Sequence, residues 1–279
     1  MDAQTNYEAE YNNRARVSDA AAIIDGWQEL AADWRSKTHK AEIGLSYGDG
    51  ARNVVDIFTP DYERAGPIAL FIHGGYWQAL GKDWFSHMAR GPNLNGLTVA
   101  VPSYDLCPNV TVMQIVEQMR ECCLWLWRRY KRRIVIFGHS AGGHLTACML
   151  ATDWLSLDPD APSLLAGAGL AISGLFDLQP LVGTSINENL LLNQQTAQEA
   201  SPIFWKPPSG LRLVAAVGGT ESDEYLRQSR DFTAHWHEQG MAALPRVIDG
   251  ENHFTVIANL AEPDGVLTRT LTGLASTAT

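Results

Sequence analysis

Two kinds of hydrophobic pattern alternate along the chain. Continuous apolar runs of about four to seven residues recur from residue 68 onward, and they predict strands that are buried on both faces. These runs are Ile68–Ile72, Leu97–Val101, Ile134–Phe137, Ala168–Ile172, Leu211–Val217 and the shorter Pro245–Ile248. Residues 41–47 and 53–59 instead alternate apolar and polar positions, which predicts two further strands.

Helical periodicity separates these strands. Apolar residues recur at helical spacing over residues 18–36, 113–130, 224–240 and 263–274. Strands that alternate with helices predict the α/β class, with a mostly parallel, doubly wound sheet of about eight strands flanked by helices. No Pro/Gly/Ser-rich linker divides the 279 residues, so we expect one domain over residues 1–279. Its N-terminal helical segment, residues 1–38, could cover an active site.

A serine motif follows one of the buried runs directly. Gly138-His139-Ser140-Ala141-Gly142 comes after Ile134–Phe137 and before a helix-forming stretch at residues 144–150. A serine in this context sits on a sharp turn at the rim of the sheet, with small neighbours that avoid a clash. The start of the helix beneath it also favours negative charge. Ser140 is therefore the predicted nucleophile.

A serine hydroxyl needs a base, and the base needs an acid that orients it. In this architecture the partners follow in chain order as nucleophile, acid and histidine, each after a strand. His253 follows the last predicted strand and is the predicted base, and Asp223 follows the strand before it and is the predicted acid. Asp223 could instead cap the next helix. The other candidate acids are Glu221, Glu224 and Asp249.

A third element follows the apolar run Ile68–Ile72. There the chain reads His73-Gly74-Gly75-Tyr76-Trp77, and paired glycines let a backbone approach a substrate closely. Such a loop supplies part of an oxyanion hole, and the N–H of the residue after the serine supplies the other donor. The predicted oxyanion hole therefore comprises Gly74, Gly75, Tyr76 and Ala141.

These motifs together resemble those of α/β-hydrolases, and in particular of the serine-type arylformamidases, also called kynurenine formamidases. The similar stretches are Gly138–Leu145, the HGGxW loop at residues 73–77, Tyr11–Val17, Asp223–Ser229 and Asn252–Phe254. The resemblance implies hydrolysis of N-formyl-L-kynurenine to formate and kynurenine. Tyr76, Trp77 and His139 are then candidates for the substrate pocket. Trp77 could equally pack into the core, and His139 could serve local packing.

Composition and charge narrow the partners. A formal net charge of −10 argues against nucleic acid or an anionic membrane as a partner. The expected partner, a small acyl compound, follows from the hydrolase motifs instead. No phosphate-binding glycine motif follows a strand, so no nucleotide cofactor is expected. His235 and His237 lie two residues apart on a predicted helix and diverge, so no metal is expected either. The aromatic residues of the N-terminal segment could serve a lid or a homodimer contact.

The compartment is predicted from the cysteines and the N-terminus. Cys107, Cys122, Cys123 and Cys148 lie in or beside apolar segments, and the vicinal pair would diverge on a helix, so we expect reduced, mostly buried thiols. Residues 1–8 lack the basic start and apolar core of a secretory signal. Both observations favour the cytoplasm.

Two other functions fit parts of the sequence. The same triad could serve a carboxylesterase or thioesterase that acts on small acyl esters. A protein with this fold could also bind ligands without catalysis, but that usually requires a missing triad member or a disrupted oxyanion loop. The sequence therefore favours a cofactor-free serine hydrolase with an aryl formamide as its substrate.

Overall fold

The computed structural model describes residues 5–278. Eight strands within this range form one sheet in the order β1-β2-β4-β3-β5-β6-β7-β8. The strands are β1 (Ala41–Ser46), β2 (Val54–Phe58), β3 (Ile68–Ile72), β4 (Val99–Pro102), β5 (Ile134–His139), β6 (Ala166–Ile172), β7 (Arg212–Gly218) and β8 (Ala242–Ile248). Strand β2 pairs antiparallel with both β1 and β4, and the strands from β4 to β8 pair in parallel. The predicted α/β class and mostly parallel sheet are confirmed.

Helices cover both faces of the sheet. In the described part of the chain they are α1 (Tyr7–Tyr11), α2 (Asn13–Arg16), α3 (Ala20–Lys37), α4 (Arg90–Leu94), α5 (Val112–Tyr130), α6 (Ala141–Leu150), α7 (Trp154–Leu157), α8 (Asn187–Leu190), α9 (Gln194–Glu199), α10 (Asp223–Glu238) and α11 (Val266–Ala275). Short 3-10 turns fill several of the connections. None of the helices in residues 5–278 combines the length and apolarity needed to cross a bilayer.

Strand β3 shows why the central strands are apolar throughout. Its residues Ile68, Leu70 and Ile72 belong to the core on one face, which also contains side chains of α5, α6 and α10. Ala69 and Phe71 belong to the core on the other face, which contains side chains of α3 and α11. Successive side chains of a strand point to opposite faces, so a strand covered on both sides has no polar positions.

Strand β8 differs most from the prediction because it begins at Ala242 rather than at Pro245. Proline lacks an N–H and is normally excluded from the interior of a sheet. Here β8 is the edge strand, paired only with β7, so the missing donor faces away from the ladder. Pro245 pairs with Ala215 in the middle of that ladder.

Candidate active site

Ser140 stands on a strained turn between β5 and α6. Its backbone has φ 56° and ψ −118°, a region that residues with a side chain rarely adopt. The two glycines of the motif make room for this turn. A Cβ on Gly142 would lie 1.9 Å from the carbonyl oxygen of Ile72, and one on Gly138 would lie 2.3 Å from that of Gly142. The motif thus has the geometry of a nucleophile elbow, with the serine at the carboxyl edge of the sheet.

The glycine loop after β3 lies directly against this turn. A Cβ on Gly74 would lie 2.8 Å from the carbonyl oxygen of His139 and 3.0 Å from the Cβ of Ser140. Gly75 has φ +110°, and a Cβ there would collide with the carbonyl oxygen of Ala79 at 2.3 Å. Only glycine fits these two positions without displacing backbone, so they bring the loop into contact with the serine.

His73 holds the start of this loop. Its ring is stacked on that of Tyr104, with centroids 4.1 Å apart, and its Nδ1 lies 2.7 Å from the carbonyl oxygen of Gly74. Burial lowers the pKa of His73 to about 3, so the ring stays neutral. Ala141 is the first residue of α6, where a backbone N–H has no partner inside the helix. The residues predicted for the oxyanion hole are therefore beside Ser140.

Tyr76 and Trp77, which are adjacent in the loop, point into different environments. Tyr76 lines the cavity beside Ser140. Trp77 is fully buried in the core, where its ring packs edge-on against His144 with centroids 4.9 Å apart. Trp77 is not among the described residues that line the cavity, so its prediction as a pocket residue is corrected. Because the indole of Trp77 is fully buried, it contributes to the packing of the core and not to the cavity wall.

The partner of His253 is Glu221. Its Oε2 lies 2.6 Å from His253 Nδ1, and the carboxylate side chain is fully buried. The other oxygen, Oε1, accepts hydrogen bonds from Ser173 Oγ at 2.5 Å and from the Gly218 N–H at 2.7 Å. Three donors therefore fix the carboxylate against the imidazole, which makes Nδ1 the protonated nitrogen and leaves Nε2 free to accept a proton.

The prediction of Asp223 as the acid is wrong for this geometry. Asp223 is the first residue of α10, and no hydrogen bond joins it to His253 in the described structure. Glu221 precedes that helix on the turn after β7, and its longer side chain reaches back to the strand end at Gly218. Both residues follow β7, Glu221 before α10 and Asp223 at its first position, so their order in the chain does not decide between them. The Ser173 hydroxyl, at the end of β6, distinguishes the two residues because it donates a hydrogen bond to Glu221.

His139 and His144 take separate places around Ser140. His139 lines the cavity, and its Nε2 lies 2.8 Å from the carbonyl oxygen of His253, so it supports the loop that carries the base. Burial holds the pKa of His139 well below its usual value. His144 points away into the core, where its Nε2 lies 2.7 Å from the carbonyl oxygen of Ala200, and burial lowers its pKa to about 4.

A cavity of about 320 Å³ brings Ser140, His253 and the glycine loop together. This volume lies at the lower end of the range of about 300–1,000 Å³ that is usual for small-molecule sites. The other residues that line it are Glu8, Tyr11, Asn12, Asn13, Arg14, Ile24, Trp27, Gln78, Ala79, Leu80, Phe85, His139, Ser185, Ile186 and Phe254. We call residues 73–77 and 138–143 the floor of the cavity, and helices α1 and α2 (residues 7–16) its roof.

Side-chain hydrogen bonds attach the roof to the rest of the molecule. The Tyr11 hydroxyl donates to Glu224 Oε2 at 2.8 Å, and Asn13 Nδ2 donates to the Tyr225 hydroxyl at 3.0 Å. The Tyr76 hydroxyl lies 2.6 Å from the Tyr11 carbonyl oxygen and 2.7 Å from the Tyr225 hydroxyl. Tyr225 also packs on His253, with ring centroids 4.6 Å apart. The roof is thereby connected to both the glycine loop and the catalytic histidine candidate.

Ser140 and His253 line the same cavity without a direct hydrogen bond between their side chains among residues 5–278. Such bonds are often long in enzymes without substrate and tighten when substrate binds. Within the same described range, no three His, Cys, Asp or Glu side chains are grouped as a metal site would require. The arrangement can support attack by a serine hydroxyl on a carbonyl carbon, with a buried Glu–His pair as the base.

Comparison with known proteins gives the same class. Residues 69–256 match a protein family with the alpha/beta hydrolase fold, a range that includes both motifs of the floor, Glu221 and His253. The chain therefore belongs to the α/β-hydrolase family and is a hydrolase.

Within this family the chain is similar to kynurenine formamidases. It is 31% identical over 240 residues to that of Salmo salar, covering 82% of this chain and 80% of the relative. It is 28% identical over 240 residues to that of Drosophila melanogaster, covering 81% and 79%. Among solved structures, a candidate thioesterase from Silicibacter sp. TM1040 superimposes with a TM-score of 0.86 and 33% identity, covering 96% of this chain and 100% of that one.

Proposed function

We propose that the protein is an arylformamidase that hydrolyses N-formyl-L-kynurenine to formate and kynurenine. The observation that carries the proposal is the buried Glu221–His253 pair beside a strained Ser140, in a chain 31% identical to a kynurenine formamidase over most of its length. The resemblance names the substrate, and the geometry supplies the chemistry that this substrate requires.

The proposed reaction begins with attack of Ser140 Oγ on the formyl carbon. His253 Nε2 takes the hydroxyl proton, and Glu221 steadies the resulting imidazolium through Nδ1. The negative oxygen of the tetrahedral intermediate accepts hydrogen bonds from backbone N–H groups among those of Gly74, Gly75, Tyr76 and Ala141, and each such donor is typically worth about 3 kcal/mol in the transition state.

The intermediate then collapses as the C–N bond breaks. His253 returns its proton to the aryl nitrogen, and the aryl amine leaves while the formyl group stays on Ser140. Water then attacks this formyl ester with His253 again as the base. His253 passes the proton to Ser140 Oγ as the ester bond breaks, so formate departs and the serine hydroxyl is restored. No step needs a group other than these side chains, the backbone donors and water.

The position of Tyr76 supports a small acyl group. Its hydroxyl is held by Tyr11 and Tyr225, so the ring is fixed beside the glycine loop rather than free to swing away. A fixed aromatic wall next to the oxyanion donors limits the space for the acyl side chain. Formyl, the smallest acyl group, needs none.

A substrate comparison tests the proposal. We expect kcat/KM for N-formyl-L-kynurenine to exceed that for p-nitrophenyl acetate and for a longer acyl ester, and Ser140→Ala to lower kcat by about 10⁴-fold or more. Esters that turn over well beside an uncleaved formamide would instead support the esterase or thioesterase alternative. Full activity in Ser140→Ala would contradict the serine mechanism itself.

We further infer that the enzyme works in a reducing compartment such as the cytoplasm. All four cysteines are free and buried, which is usual for proteins kept reduced. Burial raises the pKa of Cys107 to about 11 and holds those of Cys122, Cys123 and Cys148 above their usual value, so the thiols are unreactive. Recovery of the native enzyme from a secreted fraction would contradict this inference.

A further inference from the structure

The cavity contains one basic and one acidic side chain in an otherwise neutral lining. Among the described residues that line it, Arg14 is the sole lysine or arginine, and Glu8 is the sole aspartate or glutamate. Both belong to the roof, Glu8 in α1 and Arg14 in α2. Most of the other lining residues are aromatic, aliphatic or uncharged polar. Two opposite charges in such a cavity favour a ligand that carries both.

The guanidinium of Arg14 is available to bind a ligand. It is exposed, and its side chain makes no hydrogen bond or ion pair with any other residue in the described range 5–278. Arg16, two residues further along the same helix, differs in both respects. Its guanidinium lies 3.5 Å from Glu10 Oε1 and bonds the carbonyl oxygen of Ala9, and it lines a separate cleft. Of the two arginines of α2, the one without a partner in the described range is therefore the one that lines the cavity.

Glu8 is held in place as an ionised carboxylate. Its Oε2 accepts from the Ser185 N–H and its Oε1 from the Ser185 hydroxyl, both at 2.7 Å. These two bonds keep the pKa of Glu8 below its usual value. Each carboxylate oxygen has two lone-pair sites, so both can accept a further donor from a ligand.

We propose that Arg14 and Glu8 form a subsite for the amino-acid end of the substrate, with Arg14 binding the α-carboxylate and Glu8 the α-ammonium. The assignment rests on the proposed function, in which Ser140 attacks the formamide at the other end of the molecule. A guanidinium binds a carboxylate through two parallel hydrogen bonds, and a carboxylate binds an ammonium through charge-assisted ones. An ester with a neutral acyl and alcohol part would use neither group.

Two contacts at the α-carbon and a third at the formyl carbon also distinguish mirror images. The L and D forms of N-formylkynurenine exchange the positions of ammonium and hydrogen at that carbon. With the carboxylate on Arg14 and the formyl carbon at Ser140, only one enantiomer places its ammonium at Glu8. The subsite therefore gives the enzyme a preference for one enantiomer.

The experiment compares two aryl formamides, N-formyl-L-kynurenine and 2-formamidoacetophenone, which keeps the aryl ketone but lacks the amino-acid end. The measured quantity is the ratio of their kcat/KM values. We expect Arg14→Gln to lower this ratio about tenfold or more, mainly through KM, as loss of a charge-assisted hydrogen bond does. Glu8→Gln should lower it in the same direction, and both variants should reduce the preference for one enantiomer of N-formylkynurenine.

Arg16→Gln and Glu10→Gln are the matched controls, because they make the same charge changes in the same two helices outside the cavity lining. Their ratios should stay within about twofold of the wild-type value. The cleft that Arg16 lines also reaches His253, but an effect on the base is common to both substrates and cancels in the ratio.

Two results would overturn the assignment, and they are distinct. An unchanged ratio in Arg14→Gln and Glu8→Gln, with formamide hydrolysis intact, would remove the subsite and leave the proposed function standing. A wild-type enzyme that cleaves neither formamide would remove the proposed function, and the subsite with it.

Discussion

The floor of the cavity is held by backbone packing, whereas its roof is held by side-chain hydrogen bonds between distant parts of the chain. In the floor, Gly142 lies so close to Ile72 that a single added carbon would collide with the carbonyl oxygen. In the roof, Tyr11 reaches Glu224 and Asn13 reaches Tyr225, more than 200 residues away.

This difference separates the groups that we assign to the reaction from those that we assign to substrate recognition. The floor supplies a serine and backbone donors, which any acyl compound could use. The roof supplies Glu8 and Arg14, the charges that we assign to substrate recognition. A change in the roof can therefore change the substrate without a change in the floor.

Glu221, the residue that we propose as the acid of the triad, gives the largest expected effect. Glu221→Gln should lower kcat by about 10⁴-fold, because an amide does not orient the imidazole or stabilise its cation as a carboxylate does. Asp223→Asn should leave kcat within about threefold. Steady-state kinetics on the formamide, with circular dichroism as a check on folding, makes the comparison. A large loss in Asp223→Asn with a small one in Glu221→Gln would return the role to Asp223.

A substitution that adds a methyl group to a glycine of the floor tests the backbone packing there. Gly142→Ala should lower the free energy of unfolding by about 3 kcal/mol or more, since the new Cβ would lie 1.9 Å from a backbone oxygen that cannot move freely. Urea denaturation measures the change.

The same substitution at Gly26 is the control. Gly26 lies inside α3, and a Cβ there would have no atom within 4 Å. Gly26→Ala should therefore stabilise the protein by about 0.5–1 kcal/mol, because alanine is the better helix former. A Gly142→Ala protein as stable as wild type would show that the floor does not depend on close backbone contact.

An effect smaller than that of Gly142→Ala concerns pH, and it again separates the floor from the roof. In the floor and beside it, burial lowers the pKa of His73 to about 3 and that of His144 to about 4, against about 6.5 in the unfolded chain. The unfolded state then binds more protons below pH 6.5, so stability is full above that pH and falls as the pH drops. In the roof, hydrogen bonds lower the pKa of Glu8, so its contribution is lost only below about pH 4.5.

A variant of one histidine isolates this effect. Wild-type protein should lose about 1 kcal/mol of unfolding free energy for each such histidine between pH 7.5 and pH 5.5. His144→Gln should reduce that loss by the same amount, whatever its stability at pH 7.5. Urea unfolding at both pH values gives the two differences, and an unchanged loss in the variant would show that His144 does not stay neutral in the fold.

Much of the fold could be predicted because its signals are local. Strand β3 appears as an unbroken apolar run, and its bounds in the structure are those of the run. The predicted strand β8 is three residues too short because it begins at Pro245, the first position of a strand being one of the few that accept proline. Only the position of β8 at the sheet edge makes proline acceptable in its interior.

In the candidate site, too, some residues could be predicted from local sequence and others could not. Ser140, His253 and the glycine loop follow directly after strands, so the motif and the element before it indicate the position. Glu221 and Asp223 stand two residues apart on one connection, and chain order cannot choose between them. The choice depends on Ser173, which meets Glu221 only when β6 and β7 lie side by side. The sequence also could not show that Tyr76 lines the cavity whereas Trp77 lies in the core, because adjacent side chains in a loop follow no fixed period.

The sequence by itself therefore determined the class of sheet, the turn that carries Ser140 and the loop that faces it, since steric limits on a few consecutive residues decide each of these. Only the tertiary structure decided which carboxylate supports His253, that Trp77 belongs to the core, and that Glu8 and Arg14 share a cavity with Ser140. These depend on contacts between residues far apart in the chain, and no local pattern encodes the distance between two side chains that meet only after the chain has folded.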